Sequence, residues 1–571
     1  MAIIARRELT VRALLVGCGI GVLLAAGNVY TSVKTGFIDG GSITAAVLGF
    51  SFFAVFRRRG RAPYSAAENN ITQTTAASAA VMSFVLGAGG PLSALAMMGK
   101  SYPAWQLVLW TVGLGLLGIL IGALLRNKLI VVEELAFPTG AATAEVIEAI
   151  HTARESAIYR ARLLLLSGLV AMYFTWFRDG PLALIPQLLS PSFAIAGMSA
   201  ATLSIGISCS PLLASTGIFL GMRGSTSMLV GAGMTWLIVV PWLHRAGIVT
   251  GASYSSFVGW LVWPGLGIMM ASTLLPMLLD WRSAWRSVRD LSSVVRSRTP
   301  STRSVKPALP FGKTIGLLTV AGLVVMGHVL FGLHPLITVA AVLMSIVMGS
   351  VCARAAGETD IAPVGHVGMA MQLLFGGGNP IVPIVAGATA QGSSSQVSQM
   401  LWAFKAGHRL KSSPRAQVMA QLLGAVVGAI VVVPVYLVIV RAYQLGSEAM
   451  PATTAISWKA TAEAMQGGLS ALPHYGMLAG GIGIALGIGL TLLARTRVGR
   501  FIPSPTAIGM AVLMPASLTV TIFLGACAAA LVGKRWPQAN DTAISSLAAG
   551  GIAGESIMGV IVAFLIAFGL I

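Results

Sequence analysis

Apolar runs of roughly twenty residues, each long enough to cross the hydrocarbon core of a bilayer as a helix, follow one another from residue 13 to residue 570. No interval between them could hold even a small soluble domain. Lipid is therefore the only solvent in which this chain can bury what it carries, and the expected class is an all-α polytopic membrane protein. The composition agrees: of 571 residues 56% are hydrophobic and only 9% charged, against about 25% charged in soluble domains. The expected location is an integral, multi-pass one, in a bacterial-type inner or plasma membrane.

A net charge of +20 raises the question of nucleic acid, but the Lys and Arg stand in short clusters between apolar runs, as cytoplasmic loops do. No nucleic-acid partner is expected; the clusters are topology signals. Arg6, Arg7 and Arg12 hold the N-terminus in the cytoplasm, and Arg57, Arg58, Arg59 and Arg61 make 13–56 an out-and-back pair. LVGC at 15–18 imitates a lipoprotein box, yet the apolar run continues to Val33, so it is taken as the first spanning helix. Further crossings are expected over 71–98, 104–125, 161–177, 193–220, 226–243 and 255–280, then over 313–331, 335–353, 361–386, 387–404, 416–440, 474–494, 511–533 and 541–570. The total is about sixteen, in two halves of about eight, with both termini inside. Residues 129–150 are basic on both flanks and acidic within, so either a re-entrant, broken segment or a cytoplasmic amphipathic helix fits them. FIPSPTAIGM (501–510) is broken by proline, and 441–473 reads as an external loop of weak amphipathic character.

Ser, Pro and Arg mark one clear linker. The expected organisation is an N-terminal half (1–281), a basic cytoplasmic linker (282–312) and a C-terminal half (313–571). The halves share three features in order: an ITxA run at Ile43 and Ile337, a carboxylate at Glu68 and Glu358, and a glycine break ending in Pro91 and Pro380. Both halves begin in the cytoplasm, so the repeat should be parallel, about an axis along the membrane normal.

Chemistry must come from the few polar groups at membrane depth. Ionisable side chains there are costly and usually face a cavity, pair with one another, or carry ions. Glu68, Glu358, Asp360, Asp541 and Glu555 are the candidates, and Glu68, Glu358, Asp360 and Glu555 are assigned to proton coupling, protons being the coupling ion and no cofactor being expected. Burial raises a carboxyl pKa toward the physiological range, the minimum a proton carrier needs. Glu68, before Asn-Asn, and Asp360, before Ile-Ala-Pro, could equally cap helices at the cytoplasmic surface. Asn69, Asn70, Gln73, Gln372, Asn379, Gln391 and Ser394 are assigned to substrate, because uncharged donors and acceptors on broken helices suit a zwitterionic or multiply hydrogen-bonding molecule. Helix–helix hydrogen bonding is the alternative for them. The four cysteines, Cys18, Cys209, Cys352 and Cys527, have no metal spacing, the histidines have none either, and HExxH is absent. Neither a metal site nor an enzyme is expected.

NITQTTAASA (70–79), LAFPTGAATAEVI (135–147), GETDIAPVGHVGMAMQ (357–372), FKAGHRLKSSPRAQVMAQLLG (404–424), RFIPSPTAIGMAV (500–512) and GGIAGESIMG (550–559) resemble the oligopeptide transporter family, including its yellow-stripe-like branch, in order over nearly the whole chain. The resemblance implies about sixteen transmembrane helices and proton-coupled movement of small oligopeptides or of metal–chelator complexes, siderophore-like or nicotianamine-like. It carries Glu68, Gln73, Glu358, Asp360, Gln372 and Glu555 over as motif positions. The expectation is a secondary active transporter working by alternating access, a proton-coupled peptide symporter first, a metal–chelate symporter second, and a passive channel as the rival of another class. Its oligomeric state, a homodimer included, is left open.

Overall fold

A computed structural model describes residues 8–571 apart from 39, 56–62, 153, 196, 280–281, 283–284, 287–288, 290–311, 361, 377, 468–472 and 536–540. The basic linker lies almost wholly outside the described residues, as does the side chain of Asp541. The described residues are mostly helical, and twelve helices among them are long and apolar enough to cross a membrane. It is an all-α polytopic membrane protein. Leu165, Leu166, Leu169 and Val170 on one helix, and Met477, Leu478 and Ile482 on another, are exposed apolar side chains of the kind lipid covers.

Contacts group the chain into two units. The first comprises Met1–Val29, Phe37–Ala161 and Asp280–Leu437; the second comprises Tyr30–Gly36, Arg162–Leu279 and Val438–Ile571. Helix α1 (Val11–Thr35) has residues in both.

In the first unit the elements are α2 (Ser42–Val55), α3 (Ala66–Leu86), α4 (Pro91–Met97), α5 (Ala104–Arg126) running into a π-helical turn (Asn127–Val132), and α6 (Pro138–Thr152). Helix α7 (Arg154–Asp179) starts here and continues into the second unit. The second unit then has four two-residue strands, β1 (Leu188–Leu189), β2 (Ala194–Ile195), β3 (Met198–Ser199) and β4 (Ile207–Ser208), paired antiparallel as β1 with β4 and β2 with β3. Helix α8 (Pro211–Gly233) passes through a π turn (Met234–Val239) to α9 (Val240–Arg245), and α10 (Tyr254–Leu279) follows. The chain returns to the first unit with α11 (Gly312–Phe331), α12 (Pro335–Thr359), α13 (Val364–Leu374), α14 (Ile381–Arg409) and most of α15 (Pro414–Ala442). It closes the second with α16 (Thr453–Gly467), α17 (Gly476–Ala494), α18 (Pro505–Leu513), α19 (Ala516–Arg535) and α20 (Asp541–Ala567).

Three expected crossings are redrawn. The run 193–220 is not one helix: Pro186, Pro191 and Gly197 favour turns, the short ladders occupy 188–208, and helix begins only at Pro211 behind its Ser210 N-cap. Helix α8 is itself broken at Gly221, whose φ of 71° and ψ of 174° no other residue type adopts readily. The pair 361–386 and 387–404 divides elsewhere, because the glycine run 376–378 and Pro380 stop α13 at Leu374, and α14 then runs unbroken through the polar segment. Helix α14 has 29 residues, enough to cross, but it is too polar to face lipid. It is buried almost all round, packed on by α3, α5, α6, α12 and α13. Polarity here, brevity in α2 and α13, and the joining of 193–220 and 226–243 into one span (Pro211–Arg245) separate the twelve from the expected sixteen.

The glycine-proline breaks of the two repeats are both real, between Leu86 and Pro91 and between Leu374 and Ile381. The run 129–150 is also broken, between Val132 and Pro138, where Glu134 and Phe137 hold φ of 52° and 42°.

Small residues set the helix spacing, as membrane packing demands. On α15, Gly424 and Gly428 lie against α3; a Cβ on Gly428 would stand 2.7 Å from both Ala79 Cα and Met82 Cγ. Gly428→Leu is expected to cost about 1–3 kcal/mol of stability by overpacking, read as a fall in unfolding temperature in detergent. Gly481→Leu on α17, with nothing within 4 Å, should leave that temperature unchanged.

Candidate functional site

Most of the residues singled out from sequence fall into three constellations, two in the first unit and one in the second. The first is a clasp. Arg354, near the end of α12 and 4% exposed, donates to Glu133 Oε2 at 2.7 Å and to Glu358 Oε1 at 3.2 Å. Lys128 also reaches Glu133, at 3.3 Å. Gly357 O accepts from Phe137 N at 3.0 Å, and Lys405 donates to Leu135 O at 2.6 Å. These bonds hold Glu134 and Phe137 in the left-handed region, which costs on the order of 1–3 kcal/mol per residue. Asp360 closes the clasp: it ends α12 at φ 65°, and its carboxylate accepts from Thr139 N at 2.9 Å and Thr139 Oγ1 at 2.6 Å, so it caps α6 from another part of the chain. Sequence offered Asp360, before Ile-Ala-Pro, as a helix cap; the helix it caps is α6 and not the one that follows it, whose N-cap is Pro363. Sequence missed Glu133 and Arg354, whose only signal was a charge pair at the rims of two apolar runs.

Glu68 lies apart from the clasp. Ser65 and Glu68 form a capping box at the start of α3, and Arg12 Nε and Nη2 each donate to the Glu68 carboxylate at 2.7 Å. Thr10 Oγ1 adds a bond at 2.8 Å. Capping, one of the two readings offered by sequence, describes what Glu68 does in this conformation. Nearby, His151 meets Asn69 at 3.4 Å and packs on Phe50 and Tyr64. Burial holds its pKa below the ordinary imidazole value, with Glu68 acting the other way.

The second constellation is a seam of uncharged amides where α3, α14 and α15 meet. Asn69, Asn70, Gln73 and Gln396 have no exposed surface, and Gln391 and Gln399 have almost none. Gln73 Nε2 donates to Asn70 Oδ1 at 3.0 Å; Gln396 Nε2 donates to Gln421 Oε1 and to Ser78 Oγ, both at 2.9 Å; Gln399 Nε2 donates to Ser42 Oγ at 3.1 Å. Each pair leaves half its capacity over. Gln73 Oε1 with Asn70 Nδ2, and Gln396 Oε1 with Gln421 Nε2, are buried without a partner, as are Gln391 Oε1 and Gln399 Oε1. A buried amide so left costs about 1–3 kcal/mol, so six such atoms in one seam need a ligand or ordered water to explain them. Ser394 faces the Cys352 thiol on α12. Gln372 is fully buried on α13, whereas Asn379 is exposed in the α13–α14 break and accepts from Ile381 N at 3.0 Å.

The third constellation surrounds Glu555, fully buried on α20. Lys34 Nζ and Arg178 Nη2 each lie 3.0 Å from Oε1, Ser210 Oγ lies 2.8 Å from both oxygens, and Leu212 N donates to Oε2 at 2.8 Å. Arg178 further clasps Asp179, with Nε to Oδ1 at 2.9 Å and Nη2 to Oδ2 at 2.5 Å. Two cations and two carboxylates therefore balance. Lys34, Arg178 and Asp179 also line a cavity of about 140 Å³, together with Tyr30, Gln187, Tyr443 and Glu448.

A family model described as "OPT oligopeptide transporter protein" matches residues 8–566. Two proteins named "Putative oligopeptide transporter" are similar to this chain: one from Saccharomyces cerevisiae, 24% identical over 98% of this chain and 96% of its own length, and one from Haemophilus influenzae, 26% identical over 94% and 92%. A protein of Arabidopsis thaliana named as a metal-nicotianamine transporter is 22% identical over 97% of this chain and 92% of its own.

Proposed function

The chain belongs to the oligopeptide transporter family, and from that premise we propose that it is a secondary active transporter carrying small peptides together with protons by alternating access. The observation that carries the substrate assignment is the amide seam. Each of its two linked amide pairs has one donor and one acceptor to spare, which is the complement of a peptide group. A chelate presents several carboxylates and calls for cations. Lys405, on the same helix as Gln396 and Gln399, is already committed to Leu135 O, and the seam amides themselves are neutral. Peptide is therefore the first reading and a metal–chelate, suggested by the plant relative's name, the second.

The coupling group is assigned to Glu358. It is the most exposed carboxylate of the clasp, at 34% for its side chain, so protons can reach it from water. Its partner Arg354 is buried and also held by Glu133, so protonation of Glu358 leaves no buried charge unpaired. The two repeated halves, 1–281 and 313–571, are proposed to be parallel, with both termini cytoplasmic.

Proteoliposomes with an imposed proton gradient test this directly. Accumulation of labelled di- and tripeptides, abolished by a protonophore, is the expected result. Accumulation of an iron–nicotianamine or iron–siderophore complex in place of peptide would transfer the assignment to the second reading. Peptide flux that never exceeds equilibration would make the protein a channel.

A further inference from the structure

The second unit's cavity has a polarity of its own. Lys34, Arg178 and Asp179 line it, and their charges are settled with the buried Glu555: Glu555 and Asp179 neutralise Lys34 and Arg178. What they leave facing inward is hydrogen-bonding capacity. Lys34, 9% exposed, spends two of its three N–H bonds on Tyr30 Oη and Glu555, both at 3.0 Å. Tyr30, accepting from Lys34, keeps its own hydroxyl hydrogen. Tyr443 brings a second phenol to the same space. These are three donors lining one cavity, two of them on α1. Glu448 is the opposite case. It lines the same cavity, its Oε1 accepts from Ser204 at 2.7 Å, and among the described residues no cation pairs with it.

We propose that this cavity binds a compact zwitterion, a free α-amino acid or a dipeptide, with the carboxylate on Lys34, Tyr30 and Tyr443 and the ammonium on Glu448. The inference rests on the peptide reading above and adds to it a site for the charged termini, which the neutral seam of the first unit does not serve. The donors suit a carboxylate because one is cationic and the others are O–H groups, which together give short, charge-assisted bonds. An ammonium beside Glu448 supplies the counter-charge that the carboxylate otherwise lacks. A volume of about 140 Å³ admits a molecule of that size and excludes a bulky chelate.

The test is equilibrium binding to the purified full-length protein in detergent, with L-alanyl-L-alanine, its N-acetyl derivative and its C-terminal amide as probes. Two variants are used, Glu448→Gln and Tyr443→Phe, both outside the buried ion cluster; unfolding temperature confirms that each is folded. Glu448→Gln should weaken the free dipeptide at least roughly tenfold, the worth of one charge-assisted hydrogen bond, and leave the N-acetyl form, already weak, unchanged. Tyr443→Phe should weaken the free dipeptide and spare the amide. Equal affinity for free and blocked dipeptides, or wild-type affinity in both variants, overturns the site. If blocked peptides are also accumulated as well as free ones, the site falls and peptide transport stands. If only a chelate is bound and carried, both fall.

Discussion

Glu555→Gln is expected to leave little folded protein. The substitution keeps the shape but removes, among the described residues, the carboxylate paired with Lys34 and one of the two paired with Arg178. Breaking a buried ion pair from one side costs about 3–5 kcal/mol, because the partner remains as an uncompensated charge; total stabilities are of the order of 5–15 kcal/mol. The same carboxylate accepts from Leu212 N and Ser210 Oγ at the start of α8, so the first turn of that helix loses a charged acceptor as well, although its Ser210 cap on Leu213 N remains. Thermal unfolding and size-exclusion chromatography in detergent measure the loss. Lys34→Met combined with Glu555→Gln should recover part of it, since no orphaned ammonium is left. An unfolding temperature equal to wild type would mean that water reaches the cluster and that its charges are solvated. Sequence offers Glu555, deep in an apolar run, as one of four proton carriers. Its contacts argue for a different duty: four donor groups converge on the ionised form, and a proton would have to displace one of them.

Glu358→Gln is expected to separate movement from accumulation. With one proton per substrate, each unit of pH gradient can support about a tenfold concentration ratio. The variant should lower that ratio to about one while counterflow exchange of labelled peptide goes on at the wild-type rate. Arg354 keeps Glu133 as its partner in the variant, so the clasp should survive and the protein should remain as stable as wild type. Wild-type accumulation in Glu358→Gln would remove this carboxylate from coupling, and Glu133, which shares the same arginine, would be the next to substitute.

The fold class was legible because a bilayer leaves so few choices: apolar length gives helices, and basic clusters divide them. The positions of the breaks were legible as well, since Gly87, Gly376 and the prolines that follow act through their own backbones and need no tertiary partner. Residues 188–208 were not, because an apolar composition near Leu188 and Ala194 does not distinguish a short ladder from a helix, and only the turn-forming Pro191 and Gly197 argued against one. Helix α14 was divided wrongly for the opposite reason. Its Gln and Ser residues look like the end of a span in sequence, whereas in the protein other helices cover them on all sides. For the site, the identities of the polar residues could be read, but their partners could not. Glu68 meets Arg12, Asp360 meets Thr139 and Glu555 meets Lys34 across 56, 221 and 521 positions, and no local pattern encodes separations of that size.

Asp360 answers to two demands at once, one on its backbone and one on its side chain. Asparagine meets both in part, since it tolerates the left-handed conformation and can still accept from Thr139. Glycine meets only the first, and glutamate overreaches the second by a methylene. The set of residues that natural variation can accept at this position is therefore smaller than at Glu358, two places away, and drift in the α12 terminus is tied to drift in the first turn of α6.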